Sequence, residues 1–289
     1  TWSMRNNTNF MQSGVIASLE MVAQNKNMFL SNYYQKGVEA LLKSEEEAPY
    51  AFLIPQEQSD PNSANYLVGA LHRHAIEMQR SNTTRTFGDV EVKAGDILIN
   101  LNQPYGPLAK TLLERQDFPS DVEVPPYDDV SWTFGYIYGV DLVPIDDPNI
   151  WVHASRRFRE GEVFIPETEV PAEGSIWVVS NRAQREFGPT RFALGNIEVL
   201  VTEEVFANGE NEFPAGSMVI DVGDLSSGNR ERVAEVLANT NLPVANITSM
   251  PDVATHEVDL PRVCVFTSWT STQHAGWGRY RRDHAEVPY

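Results

Sequence analysis

This chain carries one pattern twice. Ile76-Glu77-Met78 recurs as Ile197-Glu198-Val199, Gly88 as Gly209, and EVKAGDILINL (Glu91 to Leu101) as EFPAGSMVIDV (Glu212 to Val222), without a gap and about 121 positions on. The apolar run Ala51-Phe52-Leu53-Ile54 returns as Ile176-Trp177-Val178-Val179 after a slip of about four residues. Self-similarity of this length restricts the chain to architectures made from two similar halves. It also supplies an internal comparison, because a residue that looks catalytic in one copy can be checked against its counterpart in the other. By that comparison and by motif, the 289 residues offer no self-sufficient active site.

Around the repeat, periodicity sets the expected elements. Phe10, Val15, Leu19 and Val22, then Phe29, Leu30, Tyr33, Val38, Leu41 and Leu42, recur at three- and four-residue spacing, as in amphipathic helices, with a break near Asn25 to Asn27. Glu45-Glu46-Glu47 before Pro49 closes this section as a linker. In the first copy we expect strands at 50–54, 76–79 and 96–101 and an Asp60-capped helix opening at Pro61. A turn at Gly88-Asp89, helices at 104–115 and 128–139, and a strand at 141–145 complete it. The stretch 146–172 reads as a β-rich insertion. The second copy runs over 175–222 with a helix at 230–239, and Val263 to Phe266 reads as a final core strand before a last helix through His274. Strands alternating with helices predict an α/β fold: three layers around a mostly parallel sheet, flavodoxin-like or class I amidotransferase-like. Ligands in such sheets sit at the carboxyl ends of the strands, here near the junction of the copies.

Forty acidic against 22 basic residues give a net charge of −18, which repels nucleic acid and anionic lipid surfaces, so neither is an expected partner. No run approaches the roughly 18 to 20 apolar residues that span a bilayer. The single cysteine, Cys264, precludes an internal disulfide.

Four local patterns invite a chemical reading. His74-Ala75-Ile76-Glu77 has the H-x-x-E spacing of a zinc pair, but zinc also needs a third ligand and an open water position. In the second copy these positions are Gly195 and Glu198, so the histidine has no counterpart. His72 and His74 read instead as favourable charges at a helix C-terminus. Cys264, inside the apolar Val263-Cys264-Val265-Phe266, lacks the sharp elbow that exposes a nucleophile and reads as a buried structural thiol. The loop Gly223 to Asn229, with Ser226 and Ser227, enters a helix and could hold an anion. It lacks the Walker lysine and the spaced glycines of a dinucleotide loop. The segment TSWTSTQHAGW (Thr267 to Trp277) places Ser268, Thr270 and His274 just after the expected strand, where an α/β ligand site would lie, while Trp269 and Trp277 read equally as core.

Three segments, taken together, resemble a known family. NNTNFMQSGVIASLEMVAQNKNMFLSNYYQKG (Asn6 to Gly37), AFLIPQEQSDP with AGDILINLNQPYGPLAKTLLE (within Ala51 to Glu114), and PPYDDVSWTFGYIYGVDL (Pro125 to Leu142) look like the non-catalytic portion that follows the peptidase domain in bacterial zinc carboxypeptidases of the carboxypeptidase A class. The closing PRVCVFTSWTSTQHAGWGRY (Pro261 to Tyr280) resembles the start of a class I glutamine-amidotransferase-like domain in such proteins. The resemblance covers most of the chain and is weakest over 146–172. It implies two His and one Glu on zinc, a substrate-binding Arg and a general-base Glu, all upstream of the matched segments, so that none falls on this sequence and His74 with Glu77 is not among them. The amidotransferase nucleophile is likewise unmatched, which implies a degenerate domain.

The expected organisation is a helical segment at 1–48, a first α/β unit at 49–147, a second at 148–260 and a final strand and helix at 261–289. Thr1-Trp2 lacks an initiator Met and the family continues past Tyr289, so we expect a segment of a longer protein. The resemblance implies an accessory, non-catalytic role beside an upstream peptidase domain that holds the zinc, contact with peptide substrate, and a periplasmic or secreted location; cytoplasm is compatible with the composition. The competing expectations are an independent amidotransferase or hydrolase using Ser268 and His274, and a small-ligand module at the repeat junction.

Overall fold

A computed structural model describes residues 2–117, 119, 121–123, 133–270 and 272–289. Helices α1 (Met4–Gln24) and α2 (Lys26–Ser44) open the chain and part at Asn25, where the spacing predicts a break. The first copy supplies β1 (Ala51–Ile54), α3 (Pro61–Arg73), β2 (Gln79–Ser81), the hairpin of β3 (Arg85–Phe87) and β4 (Val90–Val92), and β5 (Ile97–Asn100). Helices α4 (Gly106–Leu113) and α5 (Phe134–Tyr138), β6 (Val143–Ile145), a 3-10 turn over Pro148–Val152 and β7 (Ser155–Arg157) follow. The second copy repeats the order as β8 (Ile176–Val179), α6 (Phe187–Leu194), β9 (Leu200–Thr202), the hairpin of β10 (Phe206–Asn208) and β11 (Asn211–Phe213), β12 (Met218–Asp221), α7 (Ser227–Thr240), β13 (Val244–Ile247) and β14 (Thr255–Glu257). Helix α8 (Thr272–His284) ends the regular structure.

The two copies pair their strands identically. The first sheet has the order β6-β1-β5-β2-β7 and the second β13-β8-β12-β9-β14. Ala51 faces Asn100 and Ile54 faces Ile97 in one, Ile176 faces Asp221 and Val179 faces Met218 in the other. Gln79 faces Leu98 and Arg157, as Leu200 faces Val219 and Glu257. Every ladder in both sheets is antiparallel, which corrects the expected parallel sheet. Strands β1 and β2, joined through α3, do run the same way, since both oppose β5. The central strand lies between them, so the crossover is split, the β-α-β-β-α-β arrangement of ferredoxin-like units. The fold is a mixed α/β one containing this unit twice.

Burial gives these strands the sequence character of a parallel sheet. Each of β1, β5 and β8 is buried along all four residues, and strands buried on both faces are the usual mark of parallel sheets. Here the second face is covered by a hairpin. In the second sheet, Trp177, Val179, Met218 and Ile220 pack with Leu194 of α6 and with Val233 and Leu237 of α7. The alternate residues Ile176, Val178 and Val219 pack with Phe206 and Phe213 of the β10–β11 hairpin, whose rings stack at 4.8 Å. In the first sheet, Ala51, Leu53 and Leu98 pack with Phe87 and Val92 of the β3–β4 hairpin and with Ile150.

By packing, the chain divides into one unit of 1–54, 71–133 and 142–159 and another of 55–70, 134–141 and 160–289. The start of α3 thus belongs with the second sheet's unit, and its bonds show why. Asn62 donates to the Thr240 carbonyl at 2.8 Å and accepts from Asn241 at 2.9 Å, and Asn65 exchanges two 3.0 Å bonds with the main chain of Ile165. The Arg185 guanidinium sits 4.4 Å from the Tyr66 ring centroid. Asp60 caps the helix as expected, accepting from the main chains of Asn62 and Ser63 and also from Arg185 N–H at 2.9 Å.

Other expectations shift. The strand placed at 76–79 begins only at Gln79. The stretch 146–172 contributes one three-residue strand, β7, the counterpart of β14 and no insertion. Phe134–Tyr138 forms the end of the helix placed at 128–139, and 128–132 lies outside the described residues. Val263–Phe266 forms no strand: among the described residues the last sheet-type bond is Val258 N–H to the Val199 carbonyl, and beyond it Val263 and Val265 are half-buried while Phe266 and Trp269 are 92% and 99% accessible.

Helix α3 ends in a Schellman motif, Ala75 N–H bonding the His72 carbonyl and Ile76 N–H the Leu71 carbonyl. This puts Ala75 at φ 58°, while α6 ends on Gly195 at φ 60°. A left-handed non-glycine residue costs about 1 to 2 kcal/mol. Ala75→Gly is therefore expected to raise unfolding free energy by about 0.5 to 1 kcal/mol and Gly195→Ala to lower it by at least about 1 kcal/mol, both measured by urea denaturation.

Candidate functional site

The residues singled out from sequence as facing a ligand, Ser268, Thr270, His274, Ser226 and Ser227, fall into two places. Ser268 and Thr270 meet, their hydroxyl oxygens 3.1 Å apart, on the exposed segment before α8. Ser268 lines a shallow cleft with Thr267, Trp269, Thr272 and Arg279, the last two on α8. His274, exposed in the first turn of the same helix, is not among its lining. With Ala275 and Gly276 the lining side chains make an open, mostly apolar surface, and among the described residues this lining holds neither a base nor a buried nucleophile. Trp269 and Trp277 are exposed, so the core role open to them in sequence is not realised.

Ser226 and Ser227 lie at the start of α7. The Ser226 Oγ accepts from Asn229 N–H at 3.3 Å, an ordinary N-cap, and both serines are exposed. The preceding turn is held by the Asp221 carboxylate, which accepts from the Gly223 and Asp224 N–H groups at 3.0 and 3.3 Å. The Asp221 carboxylate and the Ser226 hydroxyl thus already hold three of the loop's amides.

His74 and Glu77 straddle the left-handed turn at Ala75. Glu77 N–H bonds the Gln103 Oε1 at 2.7 Å, and the Glu77 carboxylate lies 3.7 Å from the Arg157 guanidinium. Among the described residues, no three His, Cys, Asp or Glu side chains gather where they could hold a metal ion. Cys264 is exposed, correcting its assignment as a buried thiol; without strand pairing its neighbours Val263 and Val265 are only half-buried and the thiol faces solvent.

One pair was not legible from sequence. Ser81, 3% accessible, and His153, 7% accessible, meet with Oγ 2.7 Å from Nε2. The Ser81 hydroxyl also bonds the Thr83 carbonyl at 2.7 Å, and the Phe87 ring stands edge-on to the imidazole at 5.3 Å. A Ser–His contact is the core of nucleophilic catalysis, but this one is enclosed, and the internal comparison identifies its work. By register, Ser81 corresponds to Thr202 and His153 to Val253, and Val253 packs against the hairpin face of the second sheet. His153 therefore fills a place that an aliphatic side chain fills in the other copy, bonding β2 to the approach of β7. The sequence carries no signal for this pair, because the correspondence of the last strands follows a register offset different from that of the repeat itself.

Comparison of the chain with models of known protein families, with curated proteins and with solved structures finds no match in any of the three. The class is therefore set by the topology alone, a tandem of split β-α-β units.

Burial, and next the charge of Arg85, hold the His153 imidazole below its ordinary value near 6.5, against a smaller opposing effect of the Thr83 carbonyl. A lowered folded value means that the unfolded chain binds the proton more readily, so stability is complete above about pH 6.5 and falls as pH drops through the window beneath it. Between pH 7.5 and pH 5 the native chain is expected to lose more unfolding free energy than His153→Gln. Equal losses in urea titrations would show that this imidazole does not couple to folding.

Proposed function

We propose that this chain is an accessory, catalytically silent portion of a zinc carboxypeptidase-like protein, packing against an upstream peptidase domain through its helical segment. The observation that carries the reading is the uncovered apolar surface of α1. None of its 21 residues is buried, yet Met11, Val15, Leu19 and Val22 form a stripe at three- and four-residue spacing with Phe10 exposed beside it, and its charged residues are Arg5 and Glu20 alone. In α2 only Ala40 and Ser44 are buried. A nearly uncharged helix with such a stripe has little reason to persist in water by itself, because helices in proteins derive most of their stability from packing an apolar face. Contiguous exposed apolar surface of this kind marks an interaction site. The exposed run around Phe266 and Trp269 is consistent with a further domain at the other end, as the resemblance implies.

In this reading zinc, its water and the general base belong to the peptidase domain. The Glu77 amide and carboxylate are engaged with Gln103 and Arg157, and among the described residues no three His, Cys, Asp or Glu side chains gather where they could hold a metal ion. Peptide substrate would meet this portion only by way of the shared cleft of the assembled protein.

Leu19→Asp separates the possibilities. In residues 1–289 alone it is expected to change stability by less than about 0.5 kcal/mol, as exposed substitutions do. In the protein extended upstream by its native sequence it should cost about 2 to 3 kcal/mol, the loss of a buried leucine. Chelator-sensitive release of C-terminal amino acids should appear in the extended protein and be absent from residues 1–289. A Leu19→Asp effect that is the same in both proteins, or release by the shorter one, would refute the proposal.

A further inference from the structure

A second site of interest lies where α2 ends beside α4. There a cleft of about 250 Å³ is floored by Ala40 and Leu101, both buried, and walled by two ion pairs. Lys43 Nζ stands 3.7 Å from the Glu47 carboxylate on one side, and Lys110 Nζ 3.9 Å from the Glu114 carboxylate on the other. We propose that this cleft binds a small zwitterion, a free α-amino acid with an aliphatic side chain.

Charge balance selects the ligand class. Two lysines and two glutamates sum to zero, so the walls favour neither a simple anion nor a simple cation. A ligand carrying both signs finds a partner for each. The existing pairs offer little resistance to exchange, because both exceed ordinary hydrogen-bond length and the Lys43–Glu47 pair is exposed, where such a pair is worth only about 0.2 to 1 kcal/mol. A carboxylate can therefore take the lysine donors while an ammonium group takes the glutamate oxygens. The volume falls just below the roughly 300 to 1,000 Å³ of sites for larger ligands, which suits a molecule of amino-acid size. The apolar floor sets the side-chain preference. The site is peculiar to the first copy, for among the described residues no helix lies between β7 and β8 to play the part of α2. It does not depend on the docking role of α1.

The test uses residues 1–289 and three probes of one shape: L-leucine, isoamylamine with the ammonium alone, and 4-methylpentanoate with the carboxylate alone. Titration followed by methyl NMR should show saturable shifts at Ala40 and Leu101 with leucine, at least about tenfold tighter than with either single-charge analogue. The surface variants Lys43→Met/Lys110→Met and Glu47→Gln/Glu114→Gln should each weaken leucine about tenfold or more while leaving the remaining methyl spectrum unchanged. Absence of saturable binding, equal binding of an analogue, or binding that survives both double variants would overturn the proposal.

Discussion

The central strand of each sheet sets the place of every other element. Strand β5 is hydrogen-bonded to β1 on one side and β2 on the other, as β12 is to β8 and β9. Because it opposes both neighbours, these two must run the same way and need a helix to join them. The hairpin β3–β4 then covers the face that the helices leave open. Register is decisive because a slip of one residue would exchange the faces, sending Leu98 away from Phe87 and Val92. In the second copy the same slip would part Val219 from Phe206 and Phe213.

The turn before each central strand holds this register with the same two bonds. Ser81 N–H bonds the Asp96 carbonyl and Gly95 N–H the Ser81 carbonyl; Thr202 with Ser217 and Gly216 with Thr202 repeat the pattern. Gly95 at φ 101° and Gly216 at φ 82° adopt a conformation that side chains resist, which accounts for the repeated Ala-Gly before the strand. At Asp96 the carboxylate accepts from Lys93 N–H at 2.7 Å, whereas the equivalent Ser217 donates its hydroxyl to the Pro214 carbonyl at 2.7 Å. Different side chains thus close the same turn with opposite hydrogen-bond polarity.

What was legible in sequence follows from which interactions are local. The repeat, the Asp60 cap, the hairpin turn at Gly88 and the break at Asn25 all depend on near neighbours, and each is where its residues place it. Strand direction depends on partners some 20 to 50 positions away, as in Gln79 with Leu98 and Ala51 with Asn100. Apolar runs such as Ile97-Leu98-Ile99 report burial on two faces without saying what covers the second. Val263 to Phe266 has strand composition and no pairing, since composition records a tendency that only a neighbouring strand can satisfy. Among the site candidates, Ser268 and Thr270 are brought together and Ser226 is committed to a cap. The enclosed Ser81–His153 pair was hidden because its members lie 72 positions apart and have no polar counterparts at both places in the other copy.

The helical segment and the sheets answer different demands. The sheets close their own cores, while α1 offers apolar surface that invites a partner, and the functional proposal rests on that contrast. Its foundation is the duplicated split sheet, which cross-strand Hα–Hα nuclear Overhauser effects test most directly. We expect contacts from β5 to both β1 and β2, Leu98 with Leu53 and Ile97 with Arg80, matched by Val219 with Val178 and Met218 with Val201, the non-hydrogen-bonded pairs at which Hα atoms face each other. Direct pairing of β1 with β2, or of β8 with β9, would contradict the account.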